Sequence, residues 1–212
     1  LHGGPTGCHA RVWDAEQLNN QELVLRYTFA YYEEGFPGEV KMTVKYSLTN
    51  DNELVIDYRG TTNKKTVVNM TSHGFFSLTG IGTPTPSQLD TILTINADFY
   101  IPIDENSIPT GEIRPVEGTP FDFRVAKPIG KDIDAIDDQL AIGRGYDHNF
   151  CLNDGEGPIA TAYDPESGRF LEVFTDLCGV QLYTGNFLDG TEIGKNGNPL
   201  IKNAGFCLET QF

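Results

Sequence analysis

The sequence has 212 residues, of which 30 are acidic and 15 are basic, and its formal net charge is -15. This negative charge repels nucleic-acid phosphates and anionic lipid headgroups, which argues against nucleic acid and membrane surfaces as partners. A hydrophobic fraction of 39% with 11% aromatic residues is too high for a disordered acidic chain. The composition therefore predicts a folded protein, and the length predicts one domain over residues 1–212.

The clearest predicted element is a β-hairpin at residues 39–58. Apolar residues alternate with more polar ones from Val40 to Leu48, and the alternation resumes at Leu54 after a cluster of turn-forming residues. Apolar spacing of period two on both sides of a turn is typical of two antiparallel strands with one buried face. Further strands are predicted at residues 23–31, 66–70, 91–98, 150–152 and 170–174, and the last follows turn-forming residues at 164–168.

One short helix is predicted, at residues 131–140. This segment contains four aspartates, and an acidic exposed turn is a better interpretation of them than a calcium loop, because the glycine and the terminal glutamate of such a loop are missing. Long irregular stretches at residues 79–88, 104–121 and 185–203 are predicted to be functional loops. The 23 glycines and 12 prolines indicate many connections, so we expect an all-β fold, a large antiparallel β-sandwich.

Cysteine usage and the start of the chain bear on compartment and completeness. The four cysteines lack the spacing of a metal site, and we expect them to be reduced. No apolar run approaches the length of a membrane span. The sequence begins without Met and without a signal-peptide pattern, so it is interpreted as the interior of a longer protein. We expect a cytoplasmic protein, with the periplasm or secretion as alternatives.

Two residues far apart in the chain could form an acid–base pair. His73 follows a strand-like segment and precedes Gly74, Phe75 and Phe76, so it is expected at a strand end beside an aromatic surface. Glu209 follows Phe206, Cys207 and Leu208 near the other end of the sequence. A carboxylate that takes a proton and an imidazole that gives one can open and reclose a sugar ring. The alternatives are a structural histidine and an exposed glutamate at a strand edge.

Residues 145–150 and 179–187 hold further polar candidates. Asp147 could act in a site or make a turn, and His148 could orient Asp147 or satisfy backbone groups. The second segment combines aromatic rings with the amides of Gln181 and Asn186, which suits stacking on sugars and hydrogen bonding to hydroxyl groups. No phosphate-binding glycine loop, nucleophile elbow or zinc-protease motif is present.

Five segments resemble the aldose 1-epimerase family, also called galactose mutarotases. They are residues 1–4 with 11–13, 69–76, 145–152, 179–190 and 205–211. The resemblance implies a β-sandwich enzyme that interconverts the α and β anomers of free aldohexoses such as galactose and glucose. It implies no metal and no organic cofactor, and the expected oligomeric state is a monomer or a weak dimer.

The resemblance also implies roles for individual residues. Glu209 matches the family's general base and His73 its general acid. Sugar-binding positions are implied for His2, near the ring oxygen, for Asp147, which reaches ring hydroxyls, and for Gln181. Gly74 and Phe75 are also expected to bind the substrate; they replace the family's usual Ser-Tyr pair after the acid, so aromatic packing is expected there. Family members extend beyond both ends of this sequence, and the preceding part includes an arginine that contacts the sugar.

Three other functions remain open from the residues. Asp147 and Glu209 could serve as the carboxylate pair of a glycoside hydrolase. A phosphorylated-hexose epimerase would need a phosphate clamp, and lysine and arginine are sparse around the motifs. A non-catalytic sugar-binding β-sandwich would keep the shape of the site without turnover.

Overall fold

The computed structural model describes residues 2–80 and 87–212. The chain divides into two compact units, Leu1–Met70 and Thr71–Phe212, and the prediction of a single domain stays a prediction. Antiparallel strands dominate both units, and the described residues contain one α-helix, α1 (Asp138–Gly143). No helix within these residues is long and apolar enough to span a bilayer.

The first unit contains one antiparallel sheet of four strands in sequential order. These are β1 (Asp14–Asn19), β2 (Glu22–Phe29), β3 (Val40–Leu48) and β4 (Leu54–Thr62). The ladder between β3 and β4 confirms the predicted hairpin, and β2 confirms the strand predicted at residues 23–31. Val40, Met42 and Val44 are buried on one face of β3, as their spacing predicts.

The strand predicted at residues 66–70 is wrong. This segment has no strand assignment, and its two valines are exposed, Val67 by 74% and Val68 by 43%. β-branched residues favour a strand only where a neighbouring strand or a core covers them. The β propensity of this segment therefore does not produce a strand.

The second unit contains nine strands among its described residues. In chain order they are β5 (Ile92–Ile95), β6 (Phe99–Ile101), β7 (Arg114–Pro115), β8 (Lys127–Pro128), β9 (Asp147–Cys151), β10 (Ala160–Tyr163), β11 (Phe170–Val173), β12 (Gly179–Tyr183) and β13 (Cys207–Gln211). They form two sheets, ordered β11-β10-β5-β8 and β13-β12-β9-β6-β7. The strands predicted at 91–98, 150–152 and 170–174 correspond to β5, β9 and β11, with different bounds.

The two sheets of the second unit share one hydrophobic core. Leu93 and Ala162 come from the first sheet, whereas Phe150 and Leu182 come from the second, and all four belong to the same buried cluster. Two antiparallel sheets that bury their apolar faces against each other form a β-sandwich. The predicted fold class is confirmed.

The helix lies further along the chain than predicted. Residues 129–131 form a 3-10 turn, and α1 begins at Asp138, where the side chain of Asp137 accepts hydrogen bonds from the backbone N–H groups of Gln139 and Leu140. Aspartate is favoured at a helix N-cap because its oxygen satisfies the first N–H groups. Asp137 therefore marks the start of the helix, which begins seven residues later than predicted and extends three residues further.

The loops and cysteines complete the comparison with the sequence. The predicted loop at residues 104–121 contains the short strand β7. Part of the loop predicted at 79–88, residues 81–86, lies outside the described residues. All four cysteines are free, as predicted.

Candidate active site

His73 is brought beside Glu209 by a short antiparallel pairing. Phe76 and Phe206 form an isolated bridge, in which the Phe76 N–H donates to the Phe206 carbonyl at 2.7 Å and the Phe206 N–H donates to the Phe76 carbonyl at 3.0 Å. His73 lies three residues before Phe76, and Glu209 lies three residues after Phe206. In an antiparallel pairing, equal and opposite steps lead to facing positions. The bridge therefore places the two residues opposite each other.

The same pairing decides which side chains face away from the core. Phe206 is fully buried, and Phe76 packs against the same hydrophobic cluster. Side chains alternate between the two faces of extended backbone. Glu209 on β13, three positions after Phe206, therefore projects to the opposite side of the sheet from the core, and His73 meets it there. We call this side of β9, β12 and β13 the site face.

The facing atoms of His73 and Glu209 are close enough for proton transfer through a small molecule. His73 Nε2 lies 3.6 Å from Glu209 Oε1, and the His73 side chain is 37% exposed whereas that of Glu209 is 8% exposed. The imidazole is thus accessible from solvent, and the carboxylate is recessed beneath it. A ligand reaching both groups approaches from the histidine side.

Burial changes the acidity of Glu209. It raises the pKa of the Glu209 carboxyl to about 7, with the charge of His73 lowering this pKa and the carboxylate of Asp147 raising it. Burial disfavours the charged form of a carboxyl group, and a neighbouring negative charge has the same effect. Glu209 therefore exchanges its proton near neutral pH, as a general acid–base residue must.

Cys207 contacts Nδ1 of His73, the ring nitrogen that does not face Glu209. Its Sγ lies 3.4 Å from His73 Nδ1, and burial raises the pKa of the Cys207 thiol above its usual range. The ligand atoms of His73, Cys207 and Glu209 all lie within 4.8 Å of one another, so these three residues could hold a metal ion. However, Cys207 faces Nδ1 and Glu209 faces Nε2, and a single metal ion would bind only one of these nitrogens.

Asp147 and Gln181 are joined on the site face. Gln181 Nε2 donates a hydrogen bond to Asp147 Oδ1 at 2.9 Å, and Gln181 stands opposite Glu209 in the β12–β13 ladder. Asp147 lies at the start of the neighbouring strand β9. The structure therefore brings together four of the predicted residues, His73, Glu209, Asp147 and Gln181.

Aromatic rings surround the imidazole. The ring centroid of His73 lies 5.4 Å from that of Phe75 and 5.8 Å from that of Tyr183. Phe75 is 46% exposed, so part of its ring is available for a ligand. At Gly74 an added Cβ would meet only the Ser72 hydroxyl, at 3.7 Å. Gly74 is also not among the glycines with positive φ, so neither its surroundings nor its backbone conformation requires a glycine.

Two polar candidates from the sequence have structural roles instead. His148 is fully buried, and its Nδ1 accepts a hydrogen bond from the Asp147 backbone N–H at 3.1 Å. Of the two interpretations of His148, satisfaction of a backbone group is therefore the observed one. Asn186 is also buried, and its Nδ2 donates to the carbonyls of Gly143 and Tyr146 at 2.8 Å each. Its amide holds a loop, which corrects its interpretation as a sugar contact.

His2 belongs to the first unit. It has a left-handed backbone conformation with φ of 53°, and its ring meets His9 at a centroid distance of 6.2 Å. Its role as a sugar-binding residue remains a prediction from the family resemblance. A cavity of about 330 Å³ lies elsewhere in the second unit, beside α1, and none of the predicted site residues lines it.

Sequence reasoning missed the individual roles of Tyr183 and Cys207 in this site. From the sequence, Tyr183 is one of the aromatic residues of the segment 179–187, and Cys207 is one of four cysteines expected to be reduced. Tyr183 lies two positions after Gln181 on β12, and Cys207 lies two positions before Glu209 on β13. Once those strands are identified, the period of two predicts that these side chains share the site face.

Known protein sequences match this chain along its whole length. The family model described as aldose 1-epimerase matches residues 1–212. The chain is 46% identical to galactose mutarotase of Rattus norvegicus and 45% identical to that of Homo sapiens, over 100% of this chain and 60% of each relative. It is 38% identical to aldose 1-epimerase of Escherichia coli, over 100% of this chain and 61% of the relative. The chain thus spans about 60% of the length of these relatives.

Solved structures give the same result. A galactose 1-epimerase from Lactobacillus acidophilus matches with a TM-score of 0.88 at 31% identity, over 100% of this chain and 60% of that one. An aldose epimerase homologue from C. elegans matches with a TM-score of 0.88 at 27% identity, over 100% and 62%. Since the family model covers all 212 residues and the fold agrees, this chain belongs to the aldose 1-epimerase family.

Proposed function

We propose that this chain carries the acid–base pair of an isomerase that interconverts the α and β anomers of a free hexose, such as galactose or glucose. The observation that carries the proposal is the 3.6 Å separation of His73 Nε2 and Glu209 Oε1. In a cyclic sugar, the anomeric hydroxyl and the ring oxygen are attached to the same carbon. An acid and a base that act on these two oxygens must therefore lie close together.

Ring opening uses both groups at once. The Glu209 carboxylate removes the proton of the anomeric hydroxyl, while the protonated His73 donates a proton from Nε2 to the ring oxygen. The bond between C1 and the ring oxygen breaks, and C1 becomes an aldehyde. The raised pKa of Glu209, about 7, makes this carboxylate a stronger base than an exposed glutamate.

Ring closure reverses these steps on the other face of the aldehyde. Rotation about the C1–C2 bond turns the second face of the carbonyl towards the former ring oxygen, now a hydroxyl. His73 takes the proton of this hydroxyl as its oxygen attacks C1, and Glu209 returns its proton to the carbonyl oxygen. Both residues regain their starting protonation states, so the cycle needs no external acid or base.

The other residues of the site face would hold the sugar. Asp147 and Gln181 offer a carboxylate and an amide to the sugar hydroxyls, and Phe75 and Tyr183 offer aromatic surface to its apolar face. These contacts would orient the anomeric centre over the pair of His73 and Glu209. They act in binding and positioning, whereas the proton transfers belong to the pair.

Polarimetry of freshly dissolved α-galactose and α-glucose tests the proposal. We expect Glu209→Gln to lower the enzymatic rate by about 1,000-fold, because general acid–base catalysis contributes about 10²–10⁴-fold, while galactose binding is largely retained. Glu117→Gln, an exposed glutamate of the same unit, is the matched control. An unchanged rate for Glu209→Gln would remove Glu209 from this role.

A second substrate separates the proposal from a glycoside hydrolase. Methyl α-galactoside has no free anomeric hydroxyl, so Glu209 has no proton to remove and no reaction is expected. Release of methanol from this compound would favour the hydrolase. Binding of galactose without any change in the rate of mutarotation would favour a non-catalytic sugar-binding protein.

A further inference from the structure

Polar side chains continue along the site face beyond the residues assigned so far. In the β9–β12 ladder Asn149 stands opposite Gln181, and in the β12–β13 ladder Gln211 stands opposite Gly179. Asn149 and Gln211 have the same parity as Asp147 and Glu209, respectively. They are therefore on the site face and not in the core.

Three hydrogen bonds connect these amides to Asp147. Gln211 Nε2 donates to Asn149 Oδ1 at 2.9 Å and to Gln181 Oε1 at 3.3 Å. Gln181 Nε2 in turn donates to Asp147 Oδ1 at 2.9 Å. We call Asp147, Gln181, Gln211 and Asn149 the amide relay.

The charge at one end determines the direction of the whole relay. A carboxylate only accepts hydrogen bonds, so Gln181 must direct its NH₂ group towards Asp147. The carbonyl oxygen of Gln181 then points away from Asp147 and needs a donor. The NH₂ group of Gln211 supplies this donor, and its second hydrogen is taken by Asn149.

A glycine provides the space in which this relay forms. A Cβ atom at Gly179 would lie 2.6 Å from Asn149 Oδ1 and 3.1 Å from Asn149 Nδ2. The first distance is too short for any real contact, so a side chain at this position would displace the amide of Asn149. Gly179 therefore keeps open the space that allows Gln211 and Asn149 to meet across β12.

We propose that Gln211 is a positioning residue, which holds the Gln181 amide in the one orientation that fixes Asp147 for binding sugar hydroxyls. This inference rests on the proposed function, because it assigns Gln211 to the same hexose site. Gln211 acts through Gln181 and does not touch the reacting atoms. Its loss therefore affects the binding of the sugar more than the proton transfers.

The first test compares Gln211→Met with the unmodified protein by polarimetry. Methionine has nearly the shape of glutamine and cannot donate a hydrogen bond. We expect KM for galactose to rise about tenfold, the factor for two hydrogen bonds of ordinary strength, with kcat changed by less than about threefold. Gln17→Met, an exposed glutamine on β1, is the matched control and leaves both constants unchanged.

A double variant distinguishes positioning from a general structural effect. If Gln211 acts through Gln181, Gln211→Met raises KM in the unmodified protein but not in a Gln181→Ala background, because the amide to be oriented is gone. An equal rise in both backgrounds, or an unchanged KM in the first, would overturn the inference. A Gln211→Glu variant should raise KM further, since a carboxylate attracts the NH₂ group of Gln181 away from Asp147.

Calorimetry separates this inference from the proposed function. If the unmodified protein binds galactose without accelerating mutarotation, the proposed function fails. The effect of Gln211→Met on the dissociation constant still tests the relay in that case. If mutarotation is accelerated and Gln211→Met has the affinity of the unmodified protein, the relay alone is wrong.

Discussion

The two faces of the β9–β12–β13 sheet differ in what they do with polar side chains. On the core face, His148 is fully buried, and its ring meets the stacked rings of Tyr100 and Phe121 edge-on. On the site face, the adjacent residue Asp147 accepts a hydrogen bond from Gln181. One residue along the strand thus separates a structural histidine from a candidate ligand-binding carboxylate.

Burial shifts the pKa values of His148 and Glu209 in opposite directions. Burial lowers the pKa of His148 to about 4 and raises the pKa of Glu209 to about 7, because a buried group is less stable when charged. The histidine therefore stays neutral at physiological pH and serves as a fixed hydrogen-bonding group. The glutamate instead titrates near neutrality, where proton transfer is useful.

The largest expected effect is on kcat, and it distinguishes His73 on the site face from His148 on the core face. We expect His73→Gln to lower kcat by about 1,000-fold, because the ring oxygen loses its proton donor. The same substitution at His148 should leave kcat within a few-fold, since His148 lies on the other face. Polarimetry on both variants measures this, and similar losses of kcat in the two folded variants would contradict the distinction between the faces.

The pH dependence of the rate sharpens the assignment of Glu209. The general base must be deprotonated, and its pKa is about 7, so kcat/KM should fall tenfold for each pH unit below this value. Because the carboxyl is already half protonated at pH 7, the expected loss between pH 7 and pH 5 is about 50-fold. A rate that stays constant down to pH 5 would show that a different group, with a lower pKa, is the base.

A substitution of His148 on the core face should lower the stability of the protein, although it leaves the activity nearly unchanged. We expect His148→Leu to lower the free energy of unfolding by about 2–3 kcal/mol at pH 7, because the Asp147 N–H loses its acceptor and Gln139 loses a partner in a buried site. Urea unfolding measures the change. An unchanged midpoint would mean that solvent or a rearranged side chain replaces His148 without cost.

The acid dependence of stability follows from the same histidine. Its pKa is about 4 in the folded protein and 6.5 as the model value, so between these values the unfolded chain binds more protons. Stability contributed by His148 is therefore present above pH 6.5 and decreases as the pH falls towards 4. The His148→Leu variant should lack this part of the acid dependence.

The smallest expected effect is a gain in stability on the site face. The pKa of Glu209 is about 7 in the folded protein against a model value of 4.5, so folding favours its protonated form and stability falls as the pH rises from 4.5 to 7. Glutamine cannot ionise, and Glu209→Gln should be more stable above pH 7, by on the order of 2 kcal/mol. Thermal unfolding at pH 8 tests this, with Glu117→Gln as the control that shows no gain.

Several features of the fold were predictable from local patterns. The hairpin of β3 and β4 follows from apolar residues at every second position on both sides of a turn, because this period matches the alternation of side chains in a strand. Five short segments, among them those around His73 and Glu209, indicate the family, which the family model confirms. By contrast, residues 66–70 show that β propensity alone is not enough when no neighbouring strand pairs with the segment.

The sequence by itself determined the all-β class, the family and the chemical types available to the site, because these depend on composition, on period and on short motifs. Tertiary structure decided which face of β9 is buried, since that depends on where the other sheet packs, and it thereby assigned His148 to a structural role. It placed Asn186 beside the carbonyls of Gly143 and Tyr146, to which its amide donates. It also brought His73 to Glu209 through the bridge between Phe76 and Phe206, a pairing of distant segments that no local pattern encodes.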